Sequence, residues 1–386
     1  MAARDNHVRL HLSPDEGIIL VLLTLDPRPC FAVTAPGIEA ITAGEIAELG
    51  LPVTGTEPGG VSFEADAEEL ARANLWLRTA ARVLVRVAEF HAYSFAELER
   101  HARKAPWDDF LADGVRPVFR VTSKKSRLYH HDAIAERLER WLGREVLHDA
   151  PEQLFVVRVH RDRVTISADS SGELLHKRGY RLEQGKAPLR ETLAAAMLLA
   201  IGWDGTVPLV DPFAGSGTIP IEAAMIARGM APGGQRRFAM DRWGILGAAA
   251  AEVAPGRPST VDRRPIISAS DRDAGAVAVM GRNAERAGVA DALSIRRAVI
   301  SDLELPETPG WIVTNPPYGV RVGERQQLRD LYAQFGHVLR SRARGWQLAM
   351  LGAHPALDHQ LALPLTTRWQ ANNGGITVRL VTSSLP

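Results

Sequence analysis

Only one cysteine, Cys30, occurs among the 386 residues. A lone thiol excludes a disulfide framework and a cysteine-rich zinc site, and it fits a reducing compartment, so a cytoplasmic protein is expected. Long apolar runs are scarce too. The longest near the start, residues 18–23, is far shorter than the ~20 residues a membrane-spanning helix needs, so no membrane association is expected. Asp15 and Glu16 stand where an export signal would carry bases, and no such signal is expected. Charge of one sign is not in excess either. At a net +1 the whole molecule is no polycation, and binding a nucleic acid would need a local basic face. Internal repeats and coiled-coil heptads are missing, which sets aside solenoids and long helical rods.

What is present is an ordinary globular composition, in a chain too long for one core. Two or three domains are expected. Acids crowd residues 31–72 (Glu39, Glu45, Glu48, Glu64, Asp66, Glu68, Glu69). The bias then reverses, with Arg116, Arg120, Lys124, Lys125, Arg127, His130 and His131 free of intervening acids. A second basic stretch holds Arg158, His160, Arg161, Arg163, His176, Lys177, Arg178 and Arg181. The two stretches together read either as a phosphate footprint or as a solvated cationic face. Up to residue 170, short strand-like runs (30–34, 81–87, 115–121, 154–160, 163–168) mix with amphipathic helices (38–49, 95–104, 132–142), which predicts α+β units. Beyond residue 190 a different order takes over. Helices at 191–201 and 219–228 alternate with apolar strands at 207–210, 266–270, 311–314 and 347–351, predicting a doubly wound parallel sheet. Residues 229–237 and 247–260, rich in Gly, Pro or Ala, read as an insertion between helix and strand.

Four segments carry chemistry. The first, Val210-Asp211-Pro212-Phe213-Ala214-Gly215-Ser216-Gly217-Thr218, follows an apolar strand and opens a helix. Its glycines allow a tight turn and the close approach of a ligand. No lysine follows the second glycine, so a nucleotide P-loop is not expected. Ser216 lacks the G-x-S-x-G elbow, which argues against a hydrolase. An acid at the strand end suits an amine-bearing ligand better than a pyrophosphate. The plain alternative is a tight strand–helix turn with no ligand. The second segment ends the next strand on Asp271, which could accept hydrogen bonds from the ribose hydroxyls of an adenosine or could cap the following helix. In the third, Asp302 could accept from an adenine amino group.

The fourth segment, Thr314-Asn315-Pro316-Pro317-Tyr318-Gly319, has the strongest chemical logic. An exocyclic amine on a base is a poor nucleophile, because its lone pair is delocalised into the ring. The Asn315 side-chain oxygen and a prolyl carbonyl make a pair of acceptors that can draw that lone pair out of the plane. Pro316 and Pro317 hold the backbone stiff, and Tyr318 offers a ring on which an extruded base could stack. A proline-rich turn is the alternative. His130 and His131 lack carboxylate or cysteine partners in sequence, so surface or RNA contact is expected there and no metal site. Trp203, Trp243 and Trp311 are expected in core or interdomain packing.

The segments at 211–218 (DPFAGSGT) and 315–319 (NPPYG) resemble class I methyltransferases that modify amino groups of bases. More specifically, 176–181 (HKRGYR), 187–191 (APLRE) and 221–224 (IEAA) resemble THUMP-domain RNA guanine-N2 methyltransferases. The nearest members are the amino-terminal half of the bacterial large-subunit rRNA enzyme and the tRNA guanine-N2 enzymes. Residues 31–39 (FAVTAPGIE) resemble the start of those chains, and Asn373-Gly374-Gly375 their C-terminal strand motif.

The resemblance implies a Rossmann-like α/β methyltransferase domain at 171–386. It also implies an α+β front of a ferredoxin-like unit at 28–70 and a THUMP RNA-binding domain at 71–170. Residues 1–27 are left as an unassigned extension. S-adenosylmethionine (SAM) is the implied cofactor, held by Asp211, Pro212, Phe213, Gly215, Gly217, Thr218, Asp271 and Asp302. Asn315, Pro316, Pro317 and Tyr318 would hold the target base. The implied partner is rRNA or tRNA, bound by a monomer with one methyl-transfer activity, to guanine N2. Adenine-N6 methylation and a non-catalytic RNA-binding protein are the competing readings.

Overall fold

The computed structural model describes residues 10–11, 19–20, 27–142, 149–182, 189–246, 263–318 and 325–386. Inside the expected N-terminal extension, β1 (Leu10–His11) pairs antiparallel with β2 (Ile19–Leu20).

The front half is built on one sheet. Its first part runs β3 (Arg28–Val33), α1 (Glu39–Glu48), β4 (Val53–Glu57), β5 (Gly60–Ala65), α2 (Ala67–Trp76) and β6 (Arg82–His91). That is a βαββαβ unit with strand order β4-β5-β3-β6. Helix α2 starts where it does because Asp66 and Glu69 form a reciprocal capping box that satisfies two backbone N–H groups. The sequence reading placed no element between residues 49 and 81. β4 is an exposed edge strand without apolar alternation, and α2 interleaves Ala with Glu and Arg, so neither shows a clear period. The expected boundary at residue 70 falls inside α2.

The sheet continues without a break. α3 (Phe95–Ala102), β7 (Arg116–Lys124), α4 (His131–Leu142), β8 (Glu152–His160) and β9 (Arg163–Asp169) extend it to the order β4-β5-β3-β6-β9-β8-β7. β6 is long enough to serve both parts: its start pairs with β3 and most of its length with β9. One hydrophobic core, including Val85, Trp107, Phe155 and Ile166, runs through both.

The second half contains α5 (Glu191–Ala200), β10 (Leu209–Asp211), α6 (Thr218–Ala227), β11 (Ile267–Asp271), α7 (Ala274–Arg286), β12 (Leu293–Arg297), β13 (Trp311–Thr314), α8 (Arg325–Arg342), β14 (Gln347–Gly352), α9 (Pro355–Asp358), β15 (Thr366–Asn373) and β16 (Ile376–Ser384). Strand order is β12-β11-β10-β13-β14-β16-β15. The first five strands are parallel and β16 is antiparallel to both neighbours. This is the doubly wound sheet expected from the sequence. Chain order reverses between β10 and β13, and in such a sheet the crevice for ligands opens there, outside the carboxyl ends of the strands. The second expected insertion segment, 247–260, lies outside the described residues. Residues 187 and 188 of the 187–191 motif, and Gly319, also lie outside them.

The basic motif at 176–181 corrects an expectation. Arg178 and Arg181 do not face solvent as phosphate ligands. Arg178 is buried; its Nε donates to Glu222 of α6 at 3.3 Å and its Nη2 to the Arg78 carbonyl at 2.6 Å. The Tyr180 hydroxyl donates to the same Glu222 oxygen at 3.3 Å, and burial beside Glu222 pushes its pKa upward. Arg181 pairs with the buried Glu191 at 3.2 Å. These cations neutralise buried carboxylates and tie the front half, through Arg78, to α6. Trp243 adds to the join, because its indole donates to Gln153 at 2.7 Å.

Removing one member of a buried ion pair strands its partner's charge. Glu222→Ala is therefore expected to lower unfolding free energy by about 3 kcal/mol, measured by urea titration; an unchanged midpoint would show that Arg178 does not depend on it.

Candidate functional site

Strands β10, β11 and β13 end side by side, and each delivers one functional segment. β10 ends on Asp211, which is 1% exposed. One of its oxygens, Oδ1, accepts from the Thr314 hydroxyl at 2.6 Å and from the Phe213 N–H at 3.1 Å. Thr314 is the last residue of β13. The glycine-rich segment and the Asn-Pro-Pro-Tyr segment, about a hundred residues apart in sequence, are thus joined by one buried hydrogen bond across the point where strand order reverses. Thr314 was not singled out in the sequence. Its only signal there was its place immediately before Asn315.

The turn after β10 is held from three sides. Gly215 N–H donates to Asp271 Oδ2 at 3.0 Å, Asn283 of α7 donates to the Ser216 carbonyl at 3.1 Å, and Arg181 donates to Thr218 Oγ1 at 3.2 Å. The two glycines have different roles. Gly215 has φ +54° and nothing within 4 Å of where a Cβ would stand, so its bare face opens onto space that a ligand could fill. Gly217 has φ +88°, and a Cβ there would meet Met280 Cγ at 2.6 Å, so its missing side chain serves the packing of α6 against α7. Phe213 sits edge-on to Phe335 of α8, with ring centroids 5.1 Å apart, and Pro212 is buried.

Asp271 is half-buried at the end of β11. The helix-capping role belongs to its neighbour: Asp273 accepts from Gly275 and Ala276 at 2.7 and 3.1 Å. Asp271 is left facing the glycine turn. The Ala298 N–H donates to the Asp271 carbonyl at 3.0 Å, which draws the loop carrying exposed Asp302 to the same edge. Asp211 and Asp271 end neighbouring strands, and Asp302 follows the next one, β12, in the loop that this bond anchors.

Asn315 and Tyr318 follow β13, on the other side of β10. The Asn315 side-chain oxygen is buried and accepts no hydrogen bond from the described residues. A buried acceptor left without a donor costs about 1–3 kcal/mol, which suits an atom reserved for a ligand's N–H. Pro316 is buried and Pro317 exposed. Tyr318 departs from the expected stacking platform. It is 6% exposed, its ring packs in the core beneath the sheet, and its hydroxyl accepts from Asn373 at 3.2 Å. The ring is enclosed and offers no open face, and Asn373, from the Asn-Gly-Gly motif at the end of β15, holds its hydroxyl.

Burial pushes the Asp211 carboxyl up to about 7, helped by the nearby Asp271 charge and opposed by the Thr314 and Phe213 hydrogen bonds. An acid in this state accommodates a cationic amine well, because a positive neighbour restores the favoured carboxylate.

A 3-2-1-4-5-7-6 strand order with acids at the ends of its first strands, a glycine turn, and an Asn-Pro-Pro-Tyr segment define a class I methyltransferase. The chain belongs to the RMKL-like methyltransferase family, whose domain model matches residues 178–382, and a model of the RlmL ferredoxin-like domain matches residues 29–84. Among relatives, "Putative RNA methyltransferase YpsC" of Bacillus subtilis is 36% identical over 89% of this chain and 92% of its own. "Ribosomal RNA large subunit methyltransferase K/L" of Syntrophotalea carbinolica is 34% identical over 92% of this chain but only 53% of its own length; the chain spans about half of that fused protein. Among solved structures, SMU.472, "a putative methyltransferase complexed with SAH", superposes with TM-score 0.80 at 29% identity, covering 93% of this chain and 98% of its own. A "predicted N6-adenine-specific DNA methylase" from Listeria monocytogenes gives TM-score 0.81 at 32% identity, over 94% and 97% of the two chains.

The Asp211 titration has a definite sign. An unfolded aspartate ionises near pH ~4, whereas in the fold the group holds its proton up to about 7. The native state therefore binds the extra proton between those values, and this group's contribution to stability falls as pH rises through that window. Denaturation midpoints of Asp211→Asn, which has no such titration, are expected to decline less than the parent's between about pH 5 and 8. Parallel profiles would rule out the raised pKa.

Proposed function

We propose that this protein is a SAM-dependent RNA methyltransferase that methylates the exocyclic N2 of a guanine. The observation that carries the reading is the Thr314–Asp211 hydrogen bond. It joins the strand end that leads into the unpartnered Asn315 oxygen to the strand end that opens the bare turn at Gly215. Residues for the methyl donor are Asp211, Phe213 and Gly215 at its amino-acid end, Asp271 at the ribose and Asp302 at the adenine. Bound there, SAM supplies an electrophilic methyl group on a sulfonium.

The protein's own groups act on the base. Asn315 Oδ1 and the Pro316 carbonyl accept the two N–H bonds of the amine, rotating its lone pair out of conjugation and toward the donor. The consecutive prolines keep that acceptor pair from relaxing away. Transfer makes the nitrogen cationic and acidic, so its proton leaves to water without a strong base. Burial of the Asn315 oxygen and of Tyr318 keeps competing water from the acceptors.

RNA as substrate rests on the names of the relatives and on the front half. In this reading the βαββαβ unit and the THUMP-type part after it hold the RNA, and residues 171–386 perform the transfer. Adenine N6 is the second reading, favoured by the Listeria relative, since an acceptor pair at Asn315 serves either amine.

Asn315→Ala is expected to lower methyl transfer about 10²–10³-fold while S-adenosylhomocysteine (SAH) binding, followed by calorimetry, stays as in the parent. Mass spectrometry of RNA nucleosides from cells with and without the gene decides the base: N2-methylguanosine lost supports the proposal, N6-methyladenosine lost replaces it, and normal turnover by the Asn315 variant removes the amine-binding role.

A further inference from the structure

One end of the front sheet gathers three loops that the sequence reading did not connect. The β8–β9 turn carries Arg161 and Asp162 with φ +52° and +63°, a conformation that closes a tight hairpin with the twist of its strands. Asp162 then stitches the other two loops to this turn. Its carboxylate accepts from the Arg127 N–H at 2.7 Å, its N–H donates to Ser126 Oγ at 3.0 Å, and its carbonyl accepts from the Ala92 N–H at 3.0 Å. Arg161 N–H adds a bond to the Lys124 carbonyl at 3.2 Å, and Ser123 Oγ one to the Leu128 carbonyl at 2.6 Å. The three loops are one built surface.

That surface exposes what a folded protein usually hides. Tyr129 is 64% exposed and Tyr93 48%. They are the most exposed large hydrophobic side chains among the described residues of this half. Each is already in a ring contact: the His130 ring lies 4.1 Å from that of Tyr129, and the Arg127 guanidinium 5.0 Å from that of Tyr93. Lys124, Lys125, Arg127, Arg161 and His130 are exposed around them. The nearby acids are engaged by backbone donors: Asp162 as above, and Glu97 by the Tyr93 N–H at 2.7 Å. Asp132 is the exposed acid at the margin. His131 is not available as a ligand, since its Nε2 accepts from the Ser123 N–H at 3.1 Å.

We infer that this surface holds unpaired nucleotides of the substrate RNA, with bases stacked on Tyr129 and Tyr93 and phosphates on Lys124, Lys125, Arg127 and Arg161. The inference rests on the RNA reading above and narrows it. A surface for duplex RNA alone would need only cations spaced along a backbone, because paired bases are covered by their neighbours. Exposed rings interleaved with cations match single strands, where each free base offers a face to stack and each linkage a charge to neutralise. Position supports a holding role separate from chemistry: these loops end the strands of the front sheet, whereas Asn315 directly follows a strand of the other.

The test uses the full chain and fluorescence anisotropy with two labelled RNAs, an unpaired 12-mer (about the site size of one such module) and a closed hairpin of the same composition. The parent is expected to bind the 12-mer more tightly. Tyr129→Ala and Tyr93→Ala should each weaken that binding on the order of tenfold, with Tyr129→Phe and Tyr93→Phe restoring it and SAH affinity unchanged in all four. Equal binding of the 12-mer by the alanine variants, or weakening that the phenylalanine variants do not restore, overturns the surface. Hairpin binding as tight as that of the 12-mer overturns it as well. A parent that binds neither RNA defeats the RNA reading itself, which is a different result.

Discussion

Between the carboxyl ends of the two central strands, the Thr314 hydroxyl donates to a carboxylate that has almost no water around it. The rest of the site is arranged about that bond. Asp211 stops β10 and opens the glycine turn, while Thr314 stops β13 and leads directly into Asn315. A shift of either strand by one residue would turn its terminal side chain to the opposite face of the sheet and part the glycine turn from the Asn315 segment. Burial makes the bond selective. In a medium where an unmet carboxylate oxygen costs several kcal/mol, the register that satisfies Asp211 is strongly preferred.

The same logic of satisfied buried charge joins the two halves. Arg178 is the centre of that join, reaching Glu222 on the helix that begins at the glycine turn and the Arg78 carbonyl in the front half. Nearby, Arg181 reaches Thr218 in the first turn of that helix. Residues 175–181 between the halves are therefore less a linker than a shared core element. A basic run in sequence had two quite different fates: Arg158, Arg161 and Arg163 stay at the surface, whereas Arg178 and Arg181 are enclosed. Net charge and spacing treat the two groups alike. Folding tells them apart by burial: Arg178 and Arg181 meet enclosed Glu222 and Glu191, whereas Arg158 and Arg163 meet exposed Glu57 and Glu89.

Much of the site was legible because the chemistry demands residue types in tight local order. A strand that must turn at once into a helix needs Gly215 and Gly217, and an amine acceptor held stiff needs Asn315 before prolines. The parallel sheet followed from apolar runs, since strands covered on both faces have little choice of side chain. The ferredoxin-like strand β4 was not legible, because it is the edge of its sheet, where Thr and Glu face water and leave no alternation to read. β5, one place further in, does alternate, with Val61, Phe63 and Ala65 buried and Glu64 exposed, but its run is short and lies directly against the next helix. Tyr318 was legible as part of a motif but not in its role, because exposure is set by Asn373 and a core assembled from β15 and β16.

Sequence alone determined which local pieces were on offer: glycines that permit a tight strand–helix turn, acids that end strands, and an asparagine set before two stiff prolines. These are properties of a few consecutive residues and need no distant partner. Tertiary structure alone decided which of those pieces meet. Asp211 pairs with a threonine 103 positions away, Asp271 with a glycine 56 positions away, and Tyr129 and Tyr93 come together through a turn neither is near in sequence. Such meetings are set by strand order and by the need of each buried polar group to find a partner, and no local pattern encodes them.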